Sequence, residues 1–203
     1  MNKLEVYADL WCPFAYVGLV EAIAQRDATG AGTPITVRSW PLELINGEPM
    51  TALKAQANIA ALREQVAPRL FAGFRPENFP TSTLAGLSLV AAVYEKDPEQ
   101  GEALSMELRE LLFEQGVDIN DEAVLAELAA RYAVDLKAAS KHEGVMNDWG
   151  EGQKRGVKGS PHFFCGESDM FCPGLNIKKN SDGQLCIEET HERVEEFLRA
   201  CLV

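Results

Sequence analysis

The N-terminal part of the chain changes hydrophobic period twice, and this change restricts the fold more than any other feature of the sequence. Residues 3–8, KLEVYA, alternate apolar and polar side chains, which predicts a strand. Residues 13–27 have a helical pattern that begins with a proline, a residue favoured in the first turn of a helix. Residues 35–40, ITVRSW, predict a second strand. A connection of this length permits a right-handed crossover, so we expect the two strands to be parallel.

Residues 51–155 show only helical periods, whereas strand character returns near the end of the chain. The segments HFFC and MFC, joined by GESD, predict a hairpin; QLCIEE predicts a further short strand before a terminal helix. Two parallel strands, an antiparallel pair and flanking helices make an α/β thioredoxin arrangement with an all-helical insertion. We therefore assign residues 1–50 and 156–203 to a thioredoxin-like domain and 51–155 to the insertion. The hydrophobic order alone also permits other α/β folds.

The charge of the chain limits its partners. With 19 basic and 31 acidic side chains, the formal net charge is −12. Such a field repels phosphate backbones and anionic membrane surfaces, so we expect neither nucleic acid nor membrane as a partner. Apolar runs fall short of the roughly 18 residues that cross a membrane. Because Glu5 and Asp9 interrupt the apolar core that a secretion signal needs, we expect a cytoplasmic protein.

The chain contains five cysteines: Cys12, Cys165, Cys172, Cys186 and Cys201. An odd number and an expected reducing compartment argue against a disulfide framework. Cys165 and Cys172 lie in the two strands of the predicted hairpin, so a disulfide between them stays open as an alternative. We interpret Cys186 and Cys201 as core residues. The histidines and cysteines lack metal-ligand spacing, so no metal site is expected.

The stretch DLWCPFAYVG, residues 9–18, places Cys12 between a strand and the first turn of a helix. Unpaired N–H groups and the helix dipole favour a thiolate there. A cysteine of ordinary pKa is about 3% ionised at pH 7, whereas one of pKa about 6 is roughly 90% ionised. We therefore predict a lowered pKa and a nucleophilic role for Cys12. The alternative is a buried, inert cysteine at a strand–helix junction.

A second loop, GVKGSPHFF at residues 156–164, places Ser160 and Pro161 directly before a predicted strand. Proline at this position is suited to a turn or a sheet edge because it cannot donate to a strand ladder. In the cis form, the loop would present the main-chain N–H and C=O of Ser160 to a substrate. Since only about 5% of X–Pro bonds in folded proteins are cis, local sequence alone favours trans.

Together the two loops resemble the DsbA-like branch of the thioredoxin superfamily. This branch contains disulfide oxidoreductases, 2-hydroxychromene-2-carboxylate isomerases and kappa-class glutathione transferases. The resemblance extends over most of the chain and is most specific at its first and last motifs: DLWCPFAYVG, VRSWPLELINGEP, FPTST, LFEQGVDINDEAVLAELA and GVKGSPHFF. It implies a thioredoxin fold with a helical insertion between its β-α-β and β-β-α halves.

The resemblance also implies roles for individual residues. Cys12 occupies the position of the nucleophilic cysteine, and equally that of the catalytic serine in the isomerases and transferases. Pro161 matches the cis-proline that faces it, and Ser160 matches the residue whose backbone pairs with the substrate. The departure is Ala15, which stands where dithiol relatives have a resolving cysteine.

A lone thiol leaves three functions open. Because a mixed disulfide must be resolved by a second thiol, we expect a monothiol oxidoreductase resolved by an external thiol. The runner-up is a small-thiol-dependent isomerase or transferase acting on a small electrophile, and the third is a redox-inactive binding module. The expected partner is a small thiol or disulfide, with glutathione or another low-molecular-weight thiol as co-substrate and no tightly bound cofactor. A homodimer is possible because relatives include monomers and dimers.

Further candidates surround the nucleophile. It is flanked by Trp11, Pro13 and Phe14. Together with Ser160 and Pro161, these residues are candidates for contacts with the substrate or the thiol. For the two aromatic residues, plain packing is the favoured alternative. Asp9 either transfers a proton or caps a turn, and capping is favoured. His162 follows the proline, and strand alternation leaves its face undecided.

Overall fold

The computed structural model describes residues 3–30, 32–189 and 191–202, and its strands form two sheets. In chain order the strands are β1 (Leu4–Ala8), β2 (Thr36–Ser39), β3 (His162–Cys165), β4 (Ser168–Phe171), β5 (Leu175–Lys179) and β6 (Leu185–Glu189). The main sheet has the order β2-β1-β3-β4, and β5 pairs with β6 in a separate antiparallel sheet. β1 and β2 are parallel, as predicted, whereas β3 runs antiparallel to both β1 and β4.

The helices surround the main sheet and fill the chain between β2 and β3. They are α1 (Pro13–Thr29), α2 (Leu42–Asn46), α3 (Ala52–Gln65), α4 (Leu84–Lys96), α5 (Pro98–Glu114), α6 (Glu122–Arg131), α7 (Leu136–Ala139), α8 (Glu143–Lys154) and α9 (His191–Leu202). Asp97 and Asp121 start two of them by accepting hydrogen bonds from first-turn N–H groups. The α/β thioredoxin fold with a helical insertion is thereby confirmed. Among the described helices, none is long and apolar enough to cross a bilayer.

The insertion shares its hydrophobic core with the N-terminal unit. Leu10 and Tyr16 pack in one buried cluster with Leu87 and Leu108 from the inserted helices. A second cluster lies between the sheet and α1, and includes Cys12, Phe163 and Leu198. Cys12 therefore lies on the sheet side of α1, in the same cluster as Val6 of β1, whereas Leu10 and Tyr16 pack against the insertion.

Two polar side chains of the insertion bind the free edge of β2. The Tyr94 hydroxyl donates to the Ile35 carbonyl over 2.8 Å and accepts from the Val37 N–H over 3.0 Å. The Glu102 carboxylate accepts from Arg26 at 2.5 and 2.6 Å and from the Ile35 N–H. An edge strand presents unpaired main-chain groups. The insertion satisfies the main-chain groups of Ile35 and Val37 at this edge.

The cysteines differ from the sequence-based interpretation. Cys165 and Cys201 form a disulfide that joins β3 to α9, with their Cα atoms 5.7 Å apart. The alternative pairing of Cys165 with Cys172 is wrong because a two-residue turn places Cys165 opposite Ser168. Cys201 is buried as expected, but it is bonded rather than free. The interpretation of Cys186 as a core residue is wrong, since it is free and exposed on β6.

Candidate active site

The Cys-Pro helix start and the Ser-Pro loop meet in space. Cys12 is the N-cap residue of α1, and its Sγ donates a hydrogen bond to the Ser160 carbonyl over 3.1 Å. The pairing of β1 with β3 explains this contact: Tyr7 faces His162, so the end of β1 lies beside the residues that begin β3. The Ser160–Pro161 peptide bond is cis. Residues separated by 148 positions thus form one site.

Burial controls the protonation of Cys12. The residue is only 3% exposed, and this burial raises the pKa of its thiol. Hydrogen bonding by Ser160 and the main-chain N–H groups of Ala15 and Phe14 act in the opposite direction but are outweighed. The prediction of a lowered pKa for Cys12 is therefore wrong. The first-turn N–H groups are present, but desolvation of the sulfur has the larger effect.

Asp9 lies beneath this loop and is fully buried. Its carboxylate accepts hydrogen bonds of 2.6 Å from the Thr83 hydroxyl and from the N–H of Leu42, the first residue of α2. Its own N–H donates to the Ser160 hydroxyl over 2.9 Å. Burial raises the pKa of Asp9 to about 6, although both hydrogen bonds to the carboxylate lower it. Asp9 thus connects the start of α2, the insertion and the proline loop.

The three residues around Cys12 occupy different environments. Trp11 is 0% exposed and stacks on Phe79 with ring centroids 5.8 Å apart. This is the packing role that the sequence favoured for Trp11, and it removes the ring from contact with solvent. Pro13 is also buried, in the first turn of α1. Phe14 is half-buried and reaches a cleft of about 800 Å³ between α3 and the β5–β6 hairpin.

His162 does not face Cys12. Alternation along β3 directs Phe163 into the cluster that contains Cys12, whereas His162 contacts Phe164 on the opposite side of the sheet. The imidazole is 1% exposed, accepts from the Lys158 N–H and pairs with Asp169 over 2.8 Å. Burial lowers the pKa of His162. The expectation that it serves as an accessory group in the cleft is wrong, because its ring is committed to a separate polar contact.

Arg109 is a neighbour of the site that the sequence analysis missed. Its guanidinium is fully buried and donates to the carbonyl and hydroxyl of Ser105, each over 2.6 Å, and to the Asp9 carbonyl over 3.2 Å. Burial lowers the pKa of Arg109 to about 10, while Asp9 and Cys12 act to raise it. A weak signal existed in the sequence. Ser105 and Arg109 are one helical turn apart, beside the apolar face of α5.

The geometry agrees with the comparison of the whole chain with known proteins. Residues 3–179 match the family model described as a DSBA-like thioredoxin domain. The chain belongs to this family. A search of curated proteins finds no match to the sequence. Among the described residues of this DSBA-like protein, no group of three or more His, Cys, Asp or Glu side chains is arranged to hold a metal ion.

Solved structures with the same fold include three with different activities in their names. A probable DsbA oxidoreductase from Streptomyces coelicolor aligns with a TM-score of 0.67 and 19% identity, covering 99% of this chain and 90% of that one. The cytosolic disulfide reductase DsbM from Pseudomonas aeruginosa, solved with GSH, aligns with a TM-score of 0.62 and 14% identity, covering 98% of this chain and 96% of that one. A 2-hydroxychromene-2-carboxylate isomerase aligns with a TM-score of 0.60 and 16% identity, covering 83% of this chain and 87% of that one. At these identities the likeness shows the fold.

Proposed function

We propose that this DSBA-like protein is a thiol–disulfide oxidoreductase with a single nucleophilic cysteine, Cys12, whose mixed disulfide is resolved by a thiol from outside the Cys-Pro-Phe-Ala motif. The observation that carries the proposal is the 3.1 Å contact between the Cys12 Sγ and the Ser160 main chain. The sulfur thus lies at a helix start and beside a main-chain carbonyl, where an extended substrate has hydrogen-bonding groups next to the reacting atom.

The reaction begins with attack of the Cys12 thiolate on one sulfur of a disulfide. The substrate S–S bond breaks, a mixed disulfide forms on Cys12, and the departing thiolate takes a proton from solvent. Because Ala15 has no sulfur, no disulfide forms inside the motif. A small thiolate then attacks the Cys12 sulfur of the mixed disulfide, which releases the bound half of the substrate as a thiol and leaves Cys12 in a disulfide with the small thiol. A second molecule of the small thiol attacks the small-thiol sulfur of this bond, forms a small-molecule disulfide and releases the Cys12 thiolate. Two small thiols are thus oxidised for each substrate disulfide reduced.

The raised pKa of Cys12 sets the expected pH dependence of this reaction. The thiolate is the attacking species, and burial makes it a small fraction of the total at neutral pH. We therefore expect the rate of Cys12 reactions to increase with pH throughout the range below its pKa.

Glutathione or a similar small thiol is the co-substrate in this proposal. Two observations support it: DsbM, which shares the fold, was solved with GSH, and Phe14 opens onto a cleft large enough for a small peptide. Lys54 and Lys179 line that cleft and provide positive charge for carboxylates. The proposed location is the cytoplasm, where such thiols are kept reduced. Cys165 and Cys201 are buried, and this burial shields their disulfide from the small thiols of that compartment.

A second candidate function is a thiol-dependent isomerase or transferase. The Cys12 thiol acts as a hydrogen-bond donor to Ser160, as a serine hydroxyl in the same position would. The similar fold of the 2-hydroxychromene-2-carboxylate isomerase makes this the alternative to test. In that case Cys12 positions a bound thiol and forms no covalent intermediate.

Two variants at Cys12 separate these functions. We expect Cys12→Ser and Cys12→Ala to lose reduction of insulin and of glutathione-type mixed disulfides, whereas Ser140→Ala, which alters an exposed hydroxyl of the insertion, keeps full activity. Mass spectrometry of the wild type should show a glutathione adduct on Cys12. Full disulfide reduction by Cys12→Ser would overturn the proposal. If Cys12→Ser still turns over a small electrophile in the presence of glutathione and Cys12→Ala does not, the second function is established.

A further inference from the structure

Cys172 lies next to the proline loop, directly after β4. It is free and 9% exposed, and its N–H donates to the Pro161 carbonyl over 2.9 Å. The paired residues of β3 and β4 end at His162 and Phe171, and Cys172 follows with a φ of 45°, so its contact with Pro161 is a loop hydrogen bond. This bond holds the main chain of Cys172 against the proline loop.

Cys12 lies against the same loop. Phe163, two residues beyond Pro161, belongs to the same buried cluster as Cys12. The close approach of α1 supports this placement: a Cβ added to Gly18 would lie 3.6 Å from both the Pro161 ring and the Phe163 ring. Cys12 contacts Ser160, and Cys172 contacts Pro161. The two free thiols therefore flank adjacent residues of one loop.

The electrostatics agree with a short separation. Burial raises the pKa of the Cys172 thiol, and the charge of the Cys12 thiolate raises it further. Formation of a mixed disulfide on Cys12 removes that charge. The Cys172 thiol is then ionised more readily at the stage of the reaction at which a second thiolate is required.

The other cysteines are excluded by position. Cys165 and Cys201 are bonded to each other, and Cys186 lies exposed on the separate β5–β6 sheet, opposite Lys178. Among the cysteines in the described part of the chain, Cys172 is therefore the remaining candidate for a partner of Cys12, and it lies beside the loop that contacts Cys12.

We propose that Cys172 is the resolving cysteine of this protein, replacing the one that Ala15 removes from the motif. The inference rests on the proposed function of Cys12 as a nucleophile. After Cys12 attacks a small disulfide and releases one thiol, the Cys172 thiolate attacks the Cys12 Sγ of the mixed disulfide. The bond from Cys12 to the substrate breaks, the second thiol leaves and takes a proton, and a Cys12–Cys172 disulfide forms. Two protein thiols are oxidised as one substrate disulfide is reduced, and two molecules of small thiol restore the reduced protein.

The experiment treats reduced full-length protein with glutathione disulfide, stops the reaction by alkylation at successive times and identifies the products by mass spectrometry. In the wild type we expect a transient Cys12 adduct, then a peptide cross-linked through Cys12 and Cys172. Cys172→Ser and Cys172→Ala should prolong the Cys12 adduct about tenfold or more, because an intramolecular thiol has a high effective concentration. Ser140→Ala, which alters an exposed hydroxyl of the insertion, is the control and should behave as the wild type.

The outcomes separate the two proposals. A long-lived Cys12 adduct in the wild type, with Cys172 alkylated, would overturn the role of Cys172 and leave the external-thiol reaction in place. A cross-link from Cys12 to any other cysteine would also overturn it. Absence of both adduct and cross-link at Cys12 in the wild type would overturn the proposed function together with this inference. The wild-type cross-link is measured directly, so the result does not depend on how well the Cys172 variants fold.

Discussion

At the scale of single residues, Asp9 makes the stability of the protein depend on pH. Its pKa is raised from 3.8 to about 6, chiefly by burial. Between these values the folded protein keeps a proton that the unfolded chain has lost, so the free energy of unfolding falls as pH rises. A shift of about two units corresponds to about 3 kcal/mol. Asp9→Asn keeps an oxygen acceptor and removes the titration. As the pH rises from 3.5 to 7, we expect the free energy of unfolding of this variant to increase by about 2–3 kcal/mol relative to that of the wild type. Urea denaturation at each pH measures this difference.

The control for this prediction is a carboxylate with the opposite shift. N–H groups at the start of α5 hold the pKa of Asp97 below its usual range. The ionised Asp97 therefore adds to the free energy of unfolding, and this addition is lost as pH falls. Asp97→Asn should therefore show a pH dependence of opposite sign to Asp9→Asn. Equal pH dependence of unfolding in Asp9→Asn and the wild type would contradict the argument.

Asp9 also affects the reactivity of Cys12. The Asp9 carboxylate is one of the groups that raise the pKa of the Cys12 thiol. We expect Asp9→Asn to lower that pKa and to accelerate alkylation of Cys12 at pH 7, since more thiolate is present. Site-resolved alkylation with iodoacetamide between pH 6 and pH 10 measures the change. Slower alkylation at every pH would instead show that Asp9 accepts the proton of Cys12.

The sequence predicts the identity of the central residues better than their chemistry. Cys12, Ser160 and Pro161 stand in local patterns of strand, helix and proline, and the structure brings all three together. The direction of the Cys12 pKa shift was mispredicted because it depends on how completely the surrounding elements exclude water. Arg109 comes from a distant helix, and its one-turn spacing from Ser105 does not reveal its contact with Asp9.

At the scale of elements, Tyr94 connects the inserted α4 to the edge of the thioredoxin sheet. Its hydroxyl satisfies the buried main-chain groups of Ile35 and Val37 together. We expect Tyr94→Phe to lower the free energy of unfolding by about 1–3 kcal/mol, because a buried donor and acceptor lose their partner. Thermal or urea unfolding measures this effect. Tyr132→Phe removes a hydroxyl that donates to Glu107 in a more exposed position and serves as the matched control. Equal losses in the two variants would contradict the role of Tyr94 at the edge.

Periodicity predicts elements whose packing is one-sided and misses one element that pairs outside the main sheet. β1, α1 and β2 follow their hydrophobic patterns closely. β5 was not predicted, although Leu175 and Ile177 alternate with polar residues. The preceding Pro173 and Gly174 are typical of a turn, and the strand is stabilised by pairing with β6, a partner that local sequence does not reveal.

At the scale of the whole molecule, the Cys165–Cys201 disulfide joins the strand that follows the proline loop to the last helix. The two cysteines are 36 positions apart, and Val194 and Leu198 pack α9 into the same buried cluster as Cys12. Closing a loop of this length restricts the unfolded chain, a stabilisation of about 2–4 kcal/mol in the chain-entropy account. Neither cysteine belongs to a recognisable pairing motif. The link could not be predicted because it depends on where α9 docks.

This link predicts a specific loss of stability. We expect the double variant Cys165→Ser/Cys201→Ser to unfold about 5–15 °C below the wild type under non-reducing conditions, which corresponds to the loss of about 2–4 kcal/mol in a chain of this size. Cys186→Ser, which removes an exposed free thiol, should unfold at the wild-type temperature. Reduction of the wild type in partly unfolding conditions should lower its unfolding temperature toward that of the double variant, since buried sulfurs become accessible only on opening. An unchanged unfolding temperature in the double variant would show that apolar packing alone holds α9 against the sheet. Scanning calorimetry with and without dithiothreitol distinguishes these outcomes.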